Sequence, residues 1–112
     1  FALMGADIPA LIRKWKDKIS FVHYRNVKEL SGQIPSTKFT EVFHDEPGDI
    51  DMYEAMKAYY DINYTGPVRP DHVATLAGEE NSNPGYMTLG TLFVIGYMRG
   101  LAESIAKAGA KA

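Results

Sequence analysis

The feature that most constrains the fold of this chain is the presence of only two short apolar segments with the character of strands. The first, residues 19–24 ("ISFVHY"), is β-branched and aromatic with little room for a polar face, which is typical of a strand buried on both sides. The second, residues 67–72 ("PVRPDH"), contains Pro70, which prevents further ladder donation as the chain leaves the sheet. Helical patterns lie before, between and after these segments, so the two strands are parallel if they pair.

Two earlier helices are predicted from apolar residues that recur at helical spacing. The first covers residues 8–18, with Asp7 as its N-cap and a proline in its first turn. The second begins at residue 52, where Asp49 or Asp51 can cap it. Both predictions depend on local signals that a short stretch of sequence carries by itself.

The last helix and the long segment before the second helix are less regular. The last helix is predicted over residues 88–110, and its first half is apolar nearly all round, which predicts deep packing. Its glycines at positions 90, 96 and 100 predict close approach of neighbouring backbone. Residues 26–50 contain several Gly and Pro, and we expect a long excursion with one short extended segment, "TKFTEVF".

The predicted order is therefore helix, strand, helix, strand, helix. A pair of parallel strands cannot cover its own edges, so this order predicts part of a larger α/β fold. A (β/α)₈ TIM barrel takes roughly 250 residues. We therefore interpret residues 1–112 as a single segment that forms the C-terminal portion, about a third, of one TIM-barrel domain.

Charge and composition exclude several classes of protein. The net charge of −2 arises from scattered basic and acidic residues, so no nucleic-acid partner is expected. The sequence has neither a run of 18 apolar residues nor a signal-peptide pattern, so we expect no membrane association and a cytoplasmic location. Because the chain has no cysteine, its own contribution to any metal site must come through His, Asp and Glu.

Ionisable residues follow both predicted strands. His23 and Arg25 lie at the end of the first strand, and Asp71 and His72 lie at the end of the second. Active sites of α/β barrels lie at the C-terminal ends of the strands, and neighbouring strands are about 4.8 Å apart. An imidazole and a carboxylate can thus reach one ion, which makes half of a metal site better suited to Mn²⁺, Fe²⁺ or Zn²⁺ than to Ca²⁺.

Four motifs in this order, "HYRNVKEL", "GDIDMYEAMKA", "RPDH" and "NPGY", resemble the C-terminal third of mannonate dehydratases, and the similarity runs over nearly the whole chain. That family consists of metal-dependent (β/α)₈ barrels of the xylose-isomerase-like group. Its members convert D-mannonate to 2-keto-3-deoxy-D-gluconate and water in hexuronate catabolism. The resemblance implies that a complete barrel has this fold and catalyses this reaction. The present chain would form only part of that barrel, and we expect it to be inactive by itself.

The resemblance also implies roles for individual residues. His23 and Asp71 match two metal ligands, with a His and a Cys from earlier strands completing a site for Mn²⁺ or Fe²⁺. His72 and Tyr86 match the paired acid and base, with the direction of proton transfer open. Arg25 matches an arginine that touches the sugar-acid substrate. The implied partners are the remainder of the barrel and further copies of the enzyme in a homo-oligomer.

Simpler structural interpretations exist for several of these residues. Arg25 can form an ion pair with Glu29 at i+4, a surface interaction worth a few tenths of a kcal/mol. Tyr86 can be a packing residue at the entry to the last helix. His44, in a loop rich in acids, is interpreted as solvated and is not assigned to the catalytic set. Exposed loop polarity is the simpler interpretation of three further residues: Asn26, Glu79 and Glu80.

Two other functions remain open from the sequence. A metal-dependent sugar isomerase or epimerase of the same barrel group would share the metal ligands and need a different proton-transfer pair. A non-enzymatic binding module that folds alone would be a stable monomer. The barrel interpretation instead predicts exposed apolar faces on Phe21, on Val22 and on the helix around residues 92–95.

Overall fold

The computed structural model describes residues 1–79 and 88–111 of the chain. Within these residues, helices and short strands follow one another in this order: α1 (Ile8–Lys14), β1 (Val22–His23), β2 (Val27–Glu29), β3 (Phe39–Glu41), α2 (Met52–Asp61), β4 (Val68–Arg69) and α3 (Thr88–Lys111). Two 3₁₀ turns, Ala2–Met4 and Lys16–Lys18, flank α1.

The strands β1 and β4 form a parallel pair, as the sequence predicts. Val22 lies opposite Val68, and His23 lies opposite Arg69. The ladder continues past the strand end, because the Tyr24 N–H donates to the Arg69 carbonyl over 2.7 Å. A parallel connection needs a crossover, and α2 supplies it. The carboxyl ends of both strands therefore lie at the same edge.

The excursion between β1 and α2 differs from the prediction, because it holds two strands instead of one extended segment. β2 and β3 form an antiparallel hairpin, so the predicted order of five elements is incomplete. The Glu29 carboxylate organises the hairpin loop by accepting hydrogen bonds from Ser31, Gly32 and Ser36. These bonds, led by the Ser31 hydroxyl, hold the pKa of Glu29 near 2. Each strand has three residues, too few for a periodic signal.

The caps of α1 and α2 lie where the sequence predicts them. The Asp7 carboxylate accepts a backbone N–H over 3.1 Å at the start of α1, and Asp51 does the same over 3.0 Å at the start of α2. Asp51 is therefore the cap of α2 among the two candidates. Helix α1 ends at Lys14, earlier than predicted, and the chain continues through the 3₁₀ turn Lys16–Lys18.

A single core lies where the three helices meet one face of β1. The Tyr24 hydroxyl inside this core donates to the Met52 carbonyl, which joins the end of β1 to the first turn of α2. The buried core residues are Ile12, Val22, Tyr24, Met52, Ala55, Ala58, Val73, Val94 and Met98.

The other face of β1 is uncovered, which corrects the prediction of a strand buried on both sides. Val22 and Tyr24 are buried, whereas Phe21 and His23 between and beside them are exposed. The expectation of exposure is thus confirmed for Phe21 and wrong for Val22. A strand that alternates in this way has one face packed on the residues described and one face without cover.

Helix α3 is also only partly covered, which corrects the prediction of deep packing. Val94 is fully buried, whereas Leu92 is 62% exposed and Phe93 and Ile95 are exposed as well. This exposure confirms the apolar face that the barrel interpretation predicts on the helix around residues 92–95. A Cβ on Gly90 would clash with the Ala74 carbonyl, so close approach is confirmed at this glycine. At positions 96 and 100 the predicted close approach is not found among the described residues, because no neighbouring segment lies within 4 Å of a Cβ placed there.

Among the described residues, every helix is too short or too polar to cross a lipid bilayer.

Candidate functional site

The parallel pairing of β1 and β4 brings His23 and Asp71 together. The His23 Nδ1 atom lies 3.4 Å from the Asp71 Oδ1 atom. Asp71 stands two residues beyond β4 with a left-handed backbone, φ 63°, a conformation that aspartate adopts more readily than most residues. This turn directs the carboxylate toward the end of β1. The His23 side chain is half-exposed, whereas Asp71 is largely buried at 14%.

The separation of these two atoms fits shared ligation of one ion. A distance of 3.4 Å is longer than an ordinary N–H···O hydrogen bond. Two ligand atoms, each about 2.0–2.2 Å from one cation, lie roughly 3–3.5 Å apart. An imidazole nitrogen and a carboxylate oxygen are ligands that divalent transition metals accept. His23 and Asp71 therefore fit part of a metal site.

The rest of such a site does not come from the described residues. Across residues 1–79 and 88–111, no group of three or more His, Asp or Glu side chains is placed to hold an ion. The chain also contains no cysteine. Further ligands would have to come from other parts of the protein.

Arg25 lies beside this pair and is held by the β2–β3 hairpin. One guanidinium nitrogen, Nη2, donates to the Glu41 carboxylate, and the other, Nη1, lies 4.0 Å from Asp71 Oδ2. The guanidinium carbon lies 5.3 Å from the centre of the Phe39 ring, a cation–π distance. The alternative pairing of Arg25 with Glu29 is wrong, because Glu29 is bonded to the hairpin loop.

Glu41 and Phe39 are the residues of this site that sequence reasoning missed. Both lie on β3, two positions apart, so they share one face of the strand. The alternation in "TKFTEVF" carried this signal. The partner of β3 is β2, which has only three residues and could not be recognised from the sequence. The sequence therefore did not show that this face of β3 points toward Arg25.

The predicted acid–base pair is only partly described. His72 directly follows Asp71 and is partly buried at the same edge. Tyr86 lies outside the described residues. Val73, the next residue after His72, is buried in the core and anchors the chain just beyond the strand end. Chain connectivity thus places His72 next to Asp71.

His44 is buried beneath the site, so the expectation of a solvated loop histidine is wrong. Its side chain is 2% exposed, and its Nε2 bonds the Tyr24 carbonyl oxygen. Burial lowers the pKa of His44 below its ordinary value. Burial also raises the pKa of the neighbouring Tyr24 phenol far above its usual range. Both groups therefore stay uncharged and act as fixed hydrogen-bonding groups behind the strand end.

Two residues expected in exposed loops are buried and structural. The Asn26 amide donates to the Phe43 and Glu46 carbonyls, each over 3.0 Å, and fastens the loop after β3. The Glu79 carboxylate accepts two N–H groups from the first turn of α3, over 2.7 and 2.8 Å. Glu80 lies outside the described residues. Neither Asn26 nor Glu79 is therefore free to bind a ligand through these atoms.

The chain is similar along its length to one group of known proteins. The sequence model of the family described as D-mannonate dehydratase (UxuA) matches residues 1–112. A mannonate dehydratase from Brachyspira hyodysenteriae is 41% identical over 104 residues, and mannonate dehydratase 1 from Halalkalibacterium halodurans is 35% identical over 107 residues. The crystal structure of mannonate dehydratase from Streptococcus suis serotype2 superimposes with a TM-score of 0.79 at 30% identity.

These matches cover most of this chain and a minor part of each relative. The two curated relatives are matched over 92% and 91% of this chain, and the S. suis structure over 93%. The chain spans about 28% of the length of the curated relatives and 29% of the S. suis chain. The structural match also supports the α/β fold described above. Since the family model matches the chain from residue 1 to residue 112, the chain belongs to the D-mannonate dehydratase (UxuA) family.

Proposed function

We propose that residues 1–112 form one segment, the C-terminal part, of a (β/α)₈ barrel that dehydrates D-mannonate to 2-keto-3-deoxy-D-gluconate. The family match supports the reaction, and the observation that carries the site is the His23–Asp71 pair, 3.4 Å apart at the carboxyl ends of two parallel strands. This is the edge of an α/β barrel at which active sites are built.

The uncovered surfaces support the barrel. Phe21 faces outward from β1, and Leu92, Phe93 and Ile95 face outward from α3. Exposed apolar side chains on a strand and on a helix call for cover by further strands and helices. In the proposed barrel, the remaining βα units supply that cover, and they also supply the further metal ligands that the described residues do not provide.

The residues of this chain fit the chemical needs of the reaction. Dehydration removes a proton from the carbon beside a carboxylate and a hydroxide from the next carbon, and the resulting enol becomes the 2-keto acid. Arg25 is placed to bind the carboxylate, because a guanidinium offers planar donors that match two carboxylate oxygens. This interaction stabilises the negative charge that develops as the proton leaves.

His72 and Tyr86 are proposed to move the two protons. One takes the proton beside the carboxylate, and the other gives a proton to the departing hydroxide, as general base and general acid. A divalent metal, Mn²⁺ or Fe²⁺ in our proposal, would be held in part by His23 and Asp71 and would supply Lewis-acid polarisation of substrate oxygens.

Product analysis tests the proposed function. The complete enzyme that contains this segment is incubated with D-mannonate and Mn²⁺, and the products are identified by mass spectrometry. We expect a keto-deoxy acid lighter than the substrate by one water, and no product after metal removal with a chelator. A product with the mass of the substrate would instead identify an isomerase or epimerase and contradict the proposal.

A further inference from the structure

We infer that Glu41 is a positioning residue that fixes the Arg25 guanidinium for a substrate carboxylate. The inference rests on the proposed function and adds a residue outside the strand-end motifs. Glu41 lies on β3, sixteen positions along the chain from Arg25, and pairs with its Nη2. No contact of Glu41 with a substrate is required.

Arg25 needs such a partner because its side chain is long and flexible. Ordering an arginine side chain costs rotamer entropy, and this cost weakens the binding of a ligand that must itself order the side chain. Glu41 fixes one end of the guanidinium, and the Phe39 ring supports the guanidinium plane at 5.3 Å. The hairpin therefore supplies the order before a substrate arrives.

The geometry also leaves part of the guanidinium for a ligand. Arg25 Nη1 lies 4.0 Å from Asp71 Oδ2, beyond hydrogen-bond distance. Without Glu41, the attraction between Arg25 and Asp71 would draw the two groups into a closed pair. With Glu41 in place, Arg25 is held between two carboxylates, and its Nη1 atom lies beside the proposed metal ligand Asp71.

The pair is more protected than an ordinary surface ion pair. The side chains of Arg25 and Glu41 are 29% and 30% exposed, and water screens a partly buried pair less than an exposed one. The pair between Arg13 and Asp61 has the same chemistry, is 41% and 37% exposed, and lies away from the strand ends on α1 and α2. It provides a matched control.

The experiment measures steady-state kinetics on D-mannonate with the complete, metal-saturated enzyme. Glu41→Gln keeps the shape and removes the charge, so we expect KM to rise roughly tenfold with kcat within about threefold. Glu41→Asp keeps the charge, and its KM should lie closer to that of the wild type. Asp61→Asn should leave both constants unchanged.

A double-mutant cycle distinguishes positioning from a general structural role. If Glu41 acts through Arg25, Glu41→Gln adds less than about a twofold change in KM when Arg25→Lys is already present. An unchanged KM in Glu41→Gln, or independent losses that multiply in the double variant, would overturn the inference. If Glu41→Gln does not fold, Glu41→Asp alone must still raise KM above the wild-type value. A wild-type enzyme inactive on D-mannonate would contradict the proposed function itself.

Discussion

At the scale of single residues, the backbone of Asp71 decides where its carboxylate lies. Its left-handed φ of 63° is a conformation that only Gly, Asn and Asp adopt with little cost. The residue reaches His23 because of this turn, and not because of strand register alone. Outliers of this kind cluster at functional sites, where the surrounding structure maintains them.

His44 provides a test of burial at the residue scale. Burial lowers its pKa, so the folded state binds fewer protons than the unfolded state between the lowered value and the ordinary value of 6.5. The contribution of His44 to the free energy of unfolding should therefore be constant above this window and should fall as the pH drops below about 6.5. We expect to observe this fall when the metal-free protein is unfolded with denaturant at several pH values.

His44→Gln is the comparison for this test. Glutamine cannot take up a proton but can still donate to the Tyr24 carbonyl, so the variant should be less stable near pH 8 and lose less stability on acidification. Parallel pH profiles for the two proteins would contradict the buried, neutral imidazole described here.

The sequence allowed part of the site to be predicted at this scale. His23 and Asp71 could be placed together because parallel strands align their carboxyl ends. The burial of His44 and the pairing of Arg25 with Glu41 could not be foreseen, since both depend on contacts between residues sixteen or more positions apart. Local signals do not record such contacts.

At the scale of elements, local chemistry explains where α1 and α2 begin. Asp7 and Asp51 cap α1 and α2 from the position just before the helix, where sequence patterns reveal a cap. The cap of α3 is different, because Glu79 reaches its first turn from ten positions away. The hairpin was likewise not predicted, because it is held by the hydrogen bonds that Glu29 accepts and by the pairing of β2 with β3.

The cap of α3 predicts a stability change. Glu79→Ala removes a buried acceptor and leaves backbone N–H groups unpaired, so the free energy of unfolding should fall by about 1–2 kcal/mol. Glu79→Gln keeps one acceptor oxygen and should lose less. Thermal or denaturant unfolding of the complete protein measures both.

A control on the same helix is Glu103→Gln. Glu103 pairs with Lys107 over 2.6 Å in an exposed pair, and such pairs contribute within about 0.5 kcal/mol. Equal losses in Glu79→Ala and Glu103→Gln would contradict the role of Glu79 as the cap.

At the scale of the whole molecule, the exposed faces of β1 and α3 confirm the exposure that the barrel interpretation predicts for Phe21 and for the helix around residues 92–95. They correct the separate predictions of a strand buried on both sides and of a deeply packed last helix. The apolar pattern of α3 predicted burial correctly for Val94, but Leu92 is largely without cover among the described residues, and Phe93 is covered only in part, by the Phe43 ring. A hydrophobic pattern reveals that a face is buried in the complete protein. It does not reveal whether the covering residues belong to the same segment.

Behaviour of the isolated 12.4 kDa chain follows from these faces. We expect it to bind a hydrophobic dye such as ANS and to self-associate in size-exclusion chromatography, because large exposed apolar patches are uncommon on stable monomers. The complete protein should bind less dye under the same conditions, because the rest of the proposed barrel covers these faces. A folded, dye-free monomer of the isolated chain would favour the independent binding module.

The central claim, that His23 and Asp71 hold a metal and His72 moves a proton, is tested most directly by pairing metal content with turnover. Asp71→Asn in the complete enzyme retains a residue that tolerates the left-handed backbone and removes the charge, so metal and D-mannonate dehydration should be lost together. His72→Asn should retain metal and lose turnover by at least roughly 100-fold. Wild-type turnover in either variant, or full metal content in Asp71→Asn, would contradict the account.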